Sequence, residues 1–191
     1  MIDFELGWRA VPGMFDENDG AALQDAVKLC PPGTSHVELG AWCGRSLAAA
    51  CEALPVGVVA YSYDNYKEDS QATGGAGKTP REAMALREEV VSHYRQLGKG
   101  ITAVLGESSA SGKLYSGPRV ASLLIDDHHS AEQVEANLLA WLPHTAPECT
   151  VLLHDYWHPP YGIATTAQRI LPSCGFRFIE TRGGLGIWRR P

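Results

Sequence analysis

The stretch that most limits what this chain can become is Ser35 to Ser46, S-H-V-E-L-G-A-W-C-G-R-S. A short apolar run closes on Glu38 and Leu39, a turn with Gly40 and Gly44 follows, and Arg45 to Leu54 reads as a helix. Glycine has no Cβ, so the backbone of such a turn accepts positive φ and lets a ligand come close. The first free N–H groups of the helix point at whatever sits there, which suits an anionic group.

The rest of the chain repeats that strand-to-helix unit. Residues 1–17 have weak periodicity and read as an irregular N-terminal arm. Asp19 can cap a helix whose apolar positions Ala22, Leu23, Ala26, Val27 and Cys30 recur at helical spacing, and Pro31-Pro32-Gly33 stops it. Val56 to Tyr63 reads as a second strand ending on Asp64, and the polar, glycine-rich Asn65 to Lys78 as a mobile lid. Thr79, Pro80 and Glu82 open a helix to about Leu97. Further strands are expected at Ile101–Leu105, Val120–Ile125 and Thr150–Leu153. Helices are expected from Ser130 to about Leu142 and from Ile163 to Leu171, and a closing hairpin at Phe176–Thr181 and Leu185–Trp188.

This order calls for an α/β fold, a doubly wound, mostly parallel seven-stranded sheet with helices on both faces and a C-terminal antiparallel hairpin. No internal repeat or second domain is visible, so residues 1–191 read as a single domain.

In an open α/β sheet ligands bind beyond the carboxyl ends of the strands. All five of the leading strands end in ionisable or hydroxyl groups: Glu38, then Asp64, then Glu107 and Ser108, then Asp126 to His129, then His154 and Asp155. Their interiors are apolar, and a purely structural sheet has no use for that arrangement because burying charge is costly. Asp64, twenty residues after Gly44, suits the two hydroxyls of a ribose, or else starts a turn with Asn65.

The formal net charge of −6 and pI near 5.6 argue against a nucleic-acid or membrane-surface binder. Five scattered cysteines without a C-x-x-C pair suit reduced thiols in the cytoplasm. The acidic start lacks a signal peptide's basic region, and no apolar run reaches the ~20 residues of a membrane span. The oligomeric state is open, a homo-oligomer included.

The run V-E-L-G-A-W-C-G-R-S resembles the first motif of class I S-adenosylmethionine (SAM)-dependent methyltransferases. L-L-I-D-D-H-H-S, followed later by L-L-H-D-Y, is similar to a small-molecule O-methyltransferase-like group of that family with D-G-D-H-S and H-D-Y motifs. The resemblance spans about residues 34–190. It implies methyl transfer from SAM to a small-molecule acceptor, most naturally onto a hydroxyl oxygen. Glu38, Gly40, Gly44 and Ser46 would surround the amino-acid part of SAM and Asp64 the ribose. Glu107 and Ser108 would lie by the adenine, with Asp126 bordering the donor. Metal-dependent members imply Mg²⁺ or another divalent metal at Asp126 and Asp155. On this reading Asp126, His129, His154 and Asp155 would orient or deprotonate the acceptor, with or without that metal. Departures are visible: Trp42 and Cys43 enlarge the turn, Asp127 and His128 replace the Gly-Asp of D-G-D-H-S, and His154 stands where an oxygen ligand is usual.

Other patterns compete. His128, His129, His154 and His158 suit zinc or iron but form no compact ligand motif. His129 or His154 also suits a general base. Ala72 to Thr79 nearly matches a phosphate-binding loop but does not directly follow a strand. Tyr63 and Lys67 form the Y-x-x-x-K pair of NAD(P)-dependent dehydrogenases, in the wrong place along the chain. A non-catalytic SAM-binding scaffold is the remaining alternative. Trp157, Pro159, Pro160 and Tyr161 offer an apolar wall for an acceptor.

Overall fold

The computed structural model describes residues 2–67 and 77–191. The lid expected at Asn65–Lys78 and the near-match to a phosphate-binding loop fall largely on 68–76, outside the described residues. Seven strands form one sheet in the order β3-β2-β1-β4-β5-β7-β6. They are β1 (Ser35–Leu39), β2 (Val59–Asp64), β3 (Gly100–Leu105), β4 (Val120–Ile125), β5 (Thr145–Leu153), β6 (Arg177–Arg182) and β7 (Leu185–Arg189). The first five run parallel and β7 enters antiparallel between β5 and β6, as the alternation required.

The helices are α1 (Glu17–Lys28), α2 (Arg45–Ala53), α3 (Pro80–Gln96), α4 (Ser108–Leu114), α5 (Ala131–Trp141) and α6 (Ile163–Ile170). Successive strand residues face opposite sides of the sheet, and two cores follow. Leu124 and Leu152 join Leu23, Val27, Leu47 and Val90 of α1, α2 and α3 on one side. Leu123, Ile125, Val151 and Leu153 meet Val134, Leu138, Trp141 and Ala167 of α5 and α6 on the other. β2 and β3 lie to one side of β1 and β4 and β5 to the other. The order therefore reverses between β1 and β4, and a crevice opens there at the carboxyl ends.

Local differences from the sequence reading have physical causes. The first helix is capped by Asp16, not Asp19. Asp16 accepts the N–H groups of Asn18 and Asp19, and Asp19 returns a carboxylate to the Asp16 N–H, a reciprocal capping box. The N-terminal arm is not irregular throughout: Phe4–Ala10 forms 3₁₀ turns, kinked at Gly7, that bury Trp8. Helix α3 begins as its sequence dictates, with Thr79 and Glu82 capping each other and Pro80 in the first turn. All five cysteines are free, Cys174 exposed and the others buried. No helix among the described residues is long and apolar enough to cross a membrane.

Candidate active site

The glycine turn is built by close approach. Gly40 has φ +84°, and a Cβ there would lie 2.2 Å from the Asp126 carbonyl oxygen. Its N–H donates to Tyr63 O at 2.8 Å, Asp126 N–H to Leu39 O at 2.8 Å, and His154 N–H to Ile125 O at 3.0 Å. The ends of β2, β1, β4 and β5 are thereby stitched edge to edge. Gly44, also left-handed at φ +84°, starts α2.

Asp64 pins this turn. Its Oδ2 accepts the N–H groups of Ala41 (2.9 Å) and Trp42 (2.8 Å), and its Oδ1 accepts that of Tyr66 (2.8 Å). A carboxylate has about four acceptor positions, so one remains for a ligand. The turn reading of Asp64 is met through the Tyr66 N–H, and the same carboxylate braces the glycine loop, whose Trp42 is held at φ 43°.

Glu38 lies beneath the turn, fully buried, while Ser46 lines the cavity above it. Ser46 Oγ donates to Glu38 Oε1 at 3.0 Å, and the buried Oε2 has no partner among the described residues. Burial pushes the Glu38 carboxyl up to about 8 despite the Ser46 hydrogen bond. Glu107 lines the cavity too, but its carboxylate caps α4 through the N–H groups of Ser109 and Ala110 and accepts Gln133 Nε2 at 2.8 Å. Those bonds hold it below the usual range against the opposing effect of burial. Ser108 is buried, and its carbonyl accepts Trp141 Nε1 at 2.9 Å.

The polar ends of β4 and β5 form a ring of alternating carboxylate and imidazole. Asp126 Oδ1 lies 2.9 Å from His154 Nδ1 and 3.9 Å from His129 Nε2. Asp155 Oδ2 lies 3.0 Å from His129 Nε2, and its Oδ1 3.8 Å from His154 Nδ1. Asp155 sits at φ 50°, an unusual conformation for a non-glycine residue that aims its carboxylate back into the ring. Behind the ring, Asp19 Oδ2 lies 3.5 Å from His154 Nε2. Burial opposes charge on His154, but Asp126, Asp19 and Asp155 together outweigh it and raise the imidazole to about 11. At neutral pH it carries both protons, each facing a carboxylate. The hydrogen bond from His129 holds Asp155 below its ordinary value.

Of the four histidines read as a transition-metal set, His129 and His154 meet Asp126, each offering a donor atom within 4.8 Å of the others. His128 is exposed, and His158 stacks on Tyr161 at 4.2 Å. Tyr161 in turn stacks on His129 at 4.8 Å and lines the cavity with Pro160, whereas Trp157 is exposed, so only part of the loop after β5 walls the cavity. Asp127 also borders the cavity, and both of its carboxylate oxygens accept from Asn137 Nδ2 at 2.9 Å.

These groups line one cavity of about 630 Å³, shared by the turn, the ends of β2 to β5 and the arm residues Pro12 to Phe15. Sequence reasoning missed the arm. Arg45, the first residue of α2, holds it by donating to the carbonyls of Arg9 (3.0 Å), Val11 (2.7 Å) and Phe15 (2.8 Å). It also missed Asp19 as a site residue, although D-E-N-D at residues 16–19 is legible as a reciprocal cap that fixes an inward-facing carboxylate.

A family profile described as a methyltransferase domain matches residues 37–156, well over half of the chain. Solved structures share the fold at low identity. The O-methyltransferase NovP is 18% identical, with a TM-score of 0.66 over 91% of this chain and 79% of that one. CalS11, a calicheamicin methyltransferase, is 16% identical, with a TM-score of 0.67 over 92% and 80%. Cofactor-bound Rv0187 from MTB is 12% identical, with a TM-score of 0.68 over 93% and 81%. No curated protein sequence matches. With its first motif and both later strand ends inside the matched span, the chain belongs to the methyltransferase-domain family and is a class I SAM-dependent methyltransferase.

Proposed function

We propose that this chain, as a single domain, methylates a hydroxyl oxygen of a small-molecule acceptor. The observation that carries the reading is the division of one cavity. The glycine turn, Ser46, Asp64, Glu107 and Ser108 border one part, and the ring of Asp126, His129, His154 and Asp155 borders the other. SAM is the donor the family implies, and the donor side fits it: Gly40, at φ +84°, brings backbone without a side chain to the cavity wall, and the Asp64 carboxylate beside it has one acceptor position beyond its three backbone bonds. When bound, SAM supplies a methyl group already activated by its sulfonium.

The protein then has two tasks, alignment and removal of one proton. Phe15 and Tyr161 flank the ring and confine an acceptor against it. The hydroxyl proton passes to the His129–Asp155 pair, where the carboxylate 3.0 Å from Nε2 fixes the ring and stabilises the proton it receives. His154 is a poor base, because both of its nitrogens already face carboxylates. It holds Asp126 in place and offsets charge. NovP, named as an O-methyltransferase, supports oxygen as the atom methylated.

Calorimetric titration with S-adenosylhomocysteine, beside NADH and ATP, tests the donor. Binding of the first alone, weakened at least about tenfold in Asp64→Ala, supports the reading, and a labelled-SAM screen of hydroxylated acceptors completes it. Preference for NADH or ATP sinks it.

A further inference from the structure

We propose that Asp126, His129 and His154 bind a divalent transition-metal ion in preference to Mg²⁺, and that Asp19 on α1 is the outer carboxylate that orients His154 for it. The first ground is the donor set. One carboxylate oxygen and two imidazole nitrogens converge within 4.8 Å, where a hard Mg²⁺ site would use oxygen throughout. The metal-dependent resemblance drew attention to Asp126 and Asp155. Among the described residues, it is instead two histidines that complete a group with Asp126.

The second ground is independent of the donors. A histidine that ligates a metal hands its other ring nitrogen to a carboxylate or carbonyl, which fixes tautomer and orientation. His154 turns Nδ1 toward Asp126 and Nε2 toward Asp19, at 2.9 and 3.5 Å. Asp19 is itself fixed by the N–H groups of Asp16 (2.9 Å) and Gly184 (2.7 Å) and is 2% exposed. Capping α1 and tying the hairpin account for its two backbone bonds, but neither requires that the costly buried charge face an imidazole. It also comes from α1, outside the matched span of residues 37–156.

Charge points the same way. Asp19, Asp126 and Asp155 surround two imidazoles, and the guanidinium of Arg45 is turned to three carbonyls of the arm. A divalent ion balances two of those three negative charges. On binding, the proton on His154 Nδ1 goes to solvent while the other stays on Nε2, facing the Asp19 carboxylate. The donors border the cavity, so the ion's remaining positions face the acceptor. With a metal on His129 Nε2, the base role proposed above passes from His129 to its partner Asp155.

The test needs neither donor nor acceptor. Metal-free full-length protein, with Cys174→Ser to remove the exposed thiol, is titrated with Zn²⁺ and Mg²⁺ by calorimetry and with Co²⁺ by visible absorption. We expect stoichiometric Zn²⁺ and Co²⁺ binding, at least about 100-fold tighter than Mg²⁺, with a Co²⁺ ligand-field band. Asp19→Asn should weaken Zn²⁺ by about 10- to 100-fold, and His154→Ala and His129→Ala should remove the band. His128→Asn should change nothing. Thermal midpoints of the metal-free variants separate misfolding from lost ligation, and His129→Ala carries the test if the buried variants unfold. Mg²⁺ binding as tight as Zn²⁺, no stoichiometric binding, or affinity indifferent to the His129 and His154 variants overturns the proposal. The proposal uses the same cavity as the methyl-transfer reading, but the S-adenosylhomocysteine titration fails or succeeds independently of the metal titration.

Discussion

Asp19 Oδ2 lies 3.5 Å from His154 Nε2, which joins the first turn of α1 to the first residue after β5. Because Asp19 also accepts the Gly184 N–H, the β6–β7 hairpin is tied to the same point. Three distant segments thus share one buried carboxylate. Asp19→Asn keeps the shape but removes the charge, and hydrogen bonds to charged groups contribute about 1.5–3 kcal/mol each. We expect a loss of about 2 kcal/mol in urea unfolding at neutral pH. An unchanged midpoint would show that the contact carries no energy.

Glu38 should make stability fall as pH rises. Its folded carboxyl is pushed up to about 8 from an ordinary 4.5, chiefly by burial. Between those values the folded state binds more protons than the unfolded state, so stability decreases with pH. The contribution is fully present below about 4.5 and gone above about 8. Glu38→Gln removes the titration while keeping an acceptor for Ser46. Urea midpoints measured across that window should slope downward more steeply in the wild type than in Glu38→Gln. Parallel profiles would sink the assignment.

Gly40→Ala should fail twice over. The residue sits at φ +84°, which costs an L residue about 1–2 kcal/mol. The added Cβ would also meet the Asp126 backbone, which cannot swing aside as a side chain could. We expect a total of about 2–5 kcal/mol and, by thermal-shift assay, no stabilisation by S-adenosylhomocysteine. Gly33→Ala is the control, since it has positive φ and nothing within 4 Å. Equal effects in the two variants would exclude the contact as the cause.

The sheet was legible because alternation of apolar strands and helices leaves few topologies, and the polar strand ends were legible because apolar runs rarely stop on charge without a reason. What the sequence could not order was the traffic between those ends. Asp64 reaches Ala41 and Trp42 only through the β1–β2 pairing, so its two backbone bonds within the glycine turn have no signature in spacing, unlike its local bond from Tyr66. Glu38 reads like its neighbours along β1, but it is covered by Ser46 rather than open to the cavity. Asp19 and the arm residues Pro12–Phe15 are far in sequence from every motif. They reach the site through α1 packing and the Arg45 clasp, both of them tertiary events.

That clasp leads to the last expectation. Arg45 Nη1 and Nε donate to three carbonyls of residues 9 to 15, and its guanidinium lies 5.0 Å over the Trp8 ring. These bonds hold Met14 and Phe15 at the cavity and keep the peptide after Arg9 out of an extended, cleavable form. Arg45→Ala removes all of them, while Arg45→Lys has one donor group in place of a planar fork. Open-state cleavage tracks local stability, and a loss of about 2–3 kcal/mol of clasp energy means roughly 30- to 150-fold faster trypsin cutting after Arg9. Mass spectrometry of timed digests reads the site directly, and Arg45→Lys should fall between the two. If cutting after Arg9 is no faster in Arg45→Ala, the arm is held by Trp8 burial alone, and its place in the cavity wall does not depend on α2.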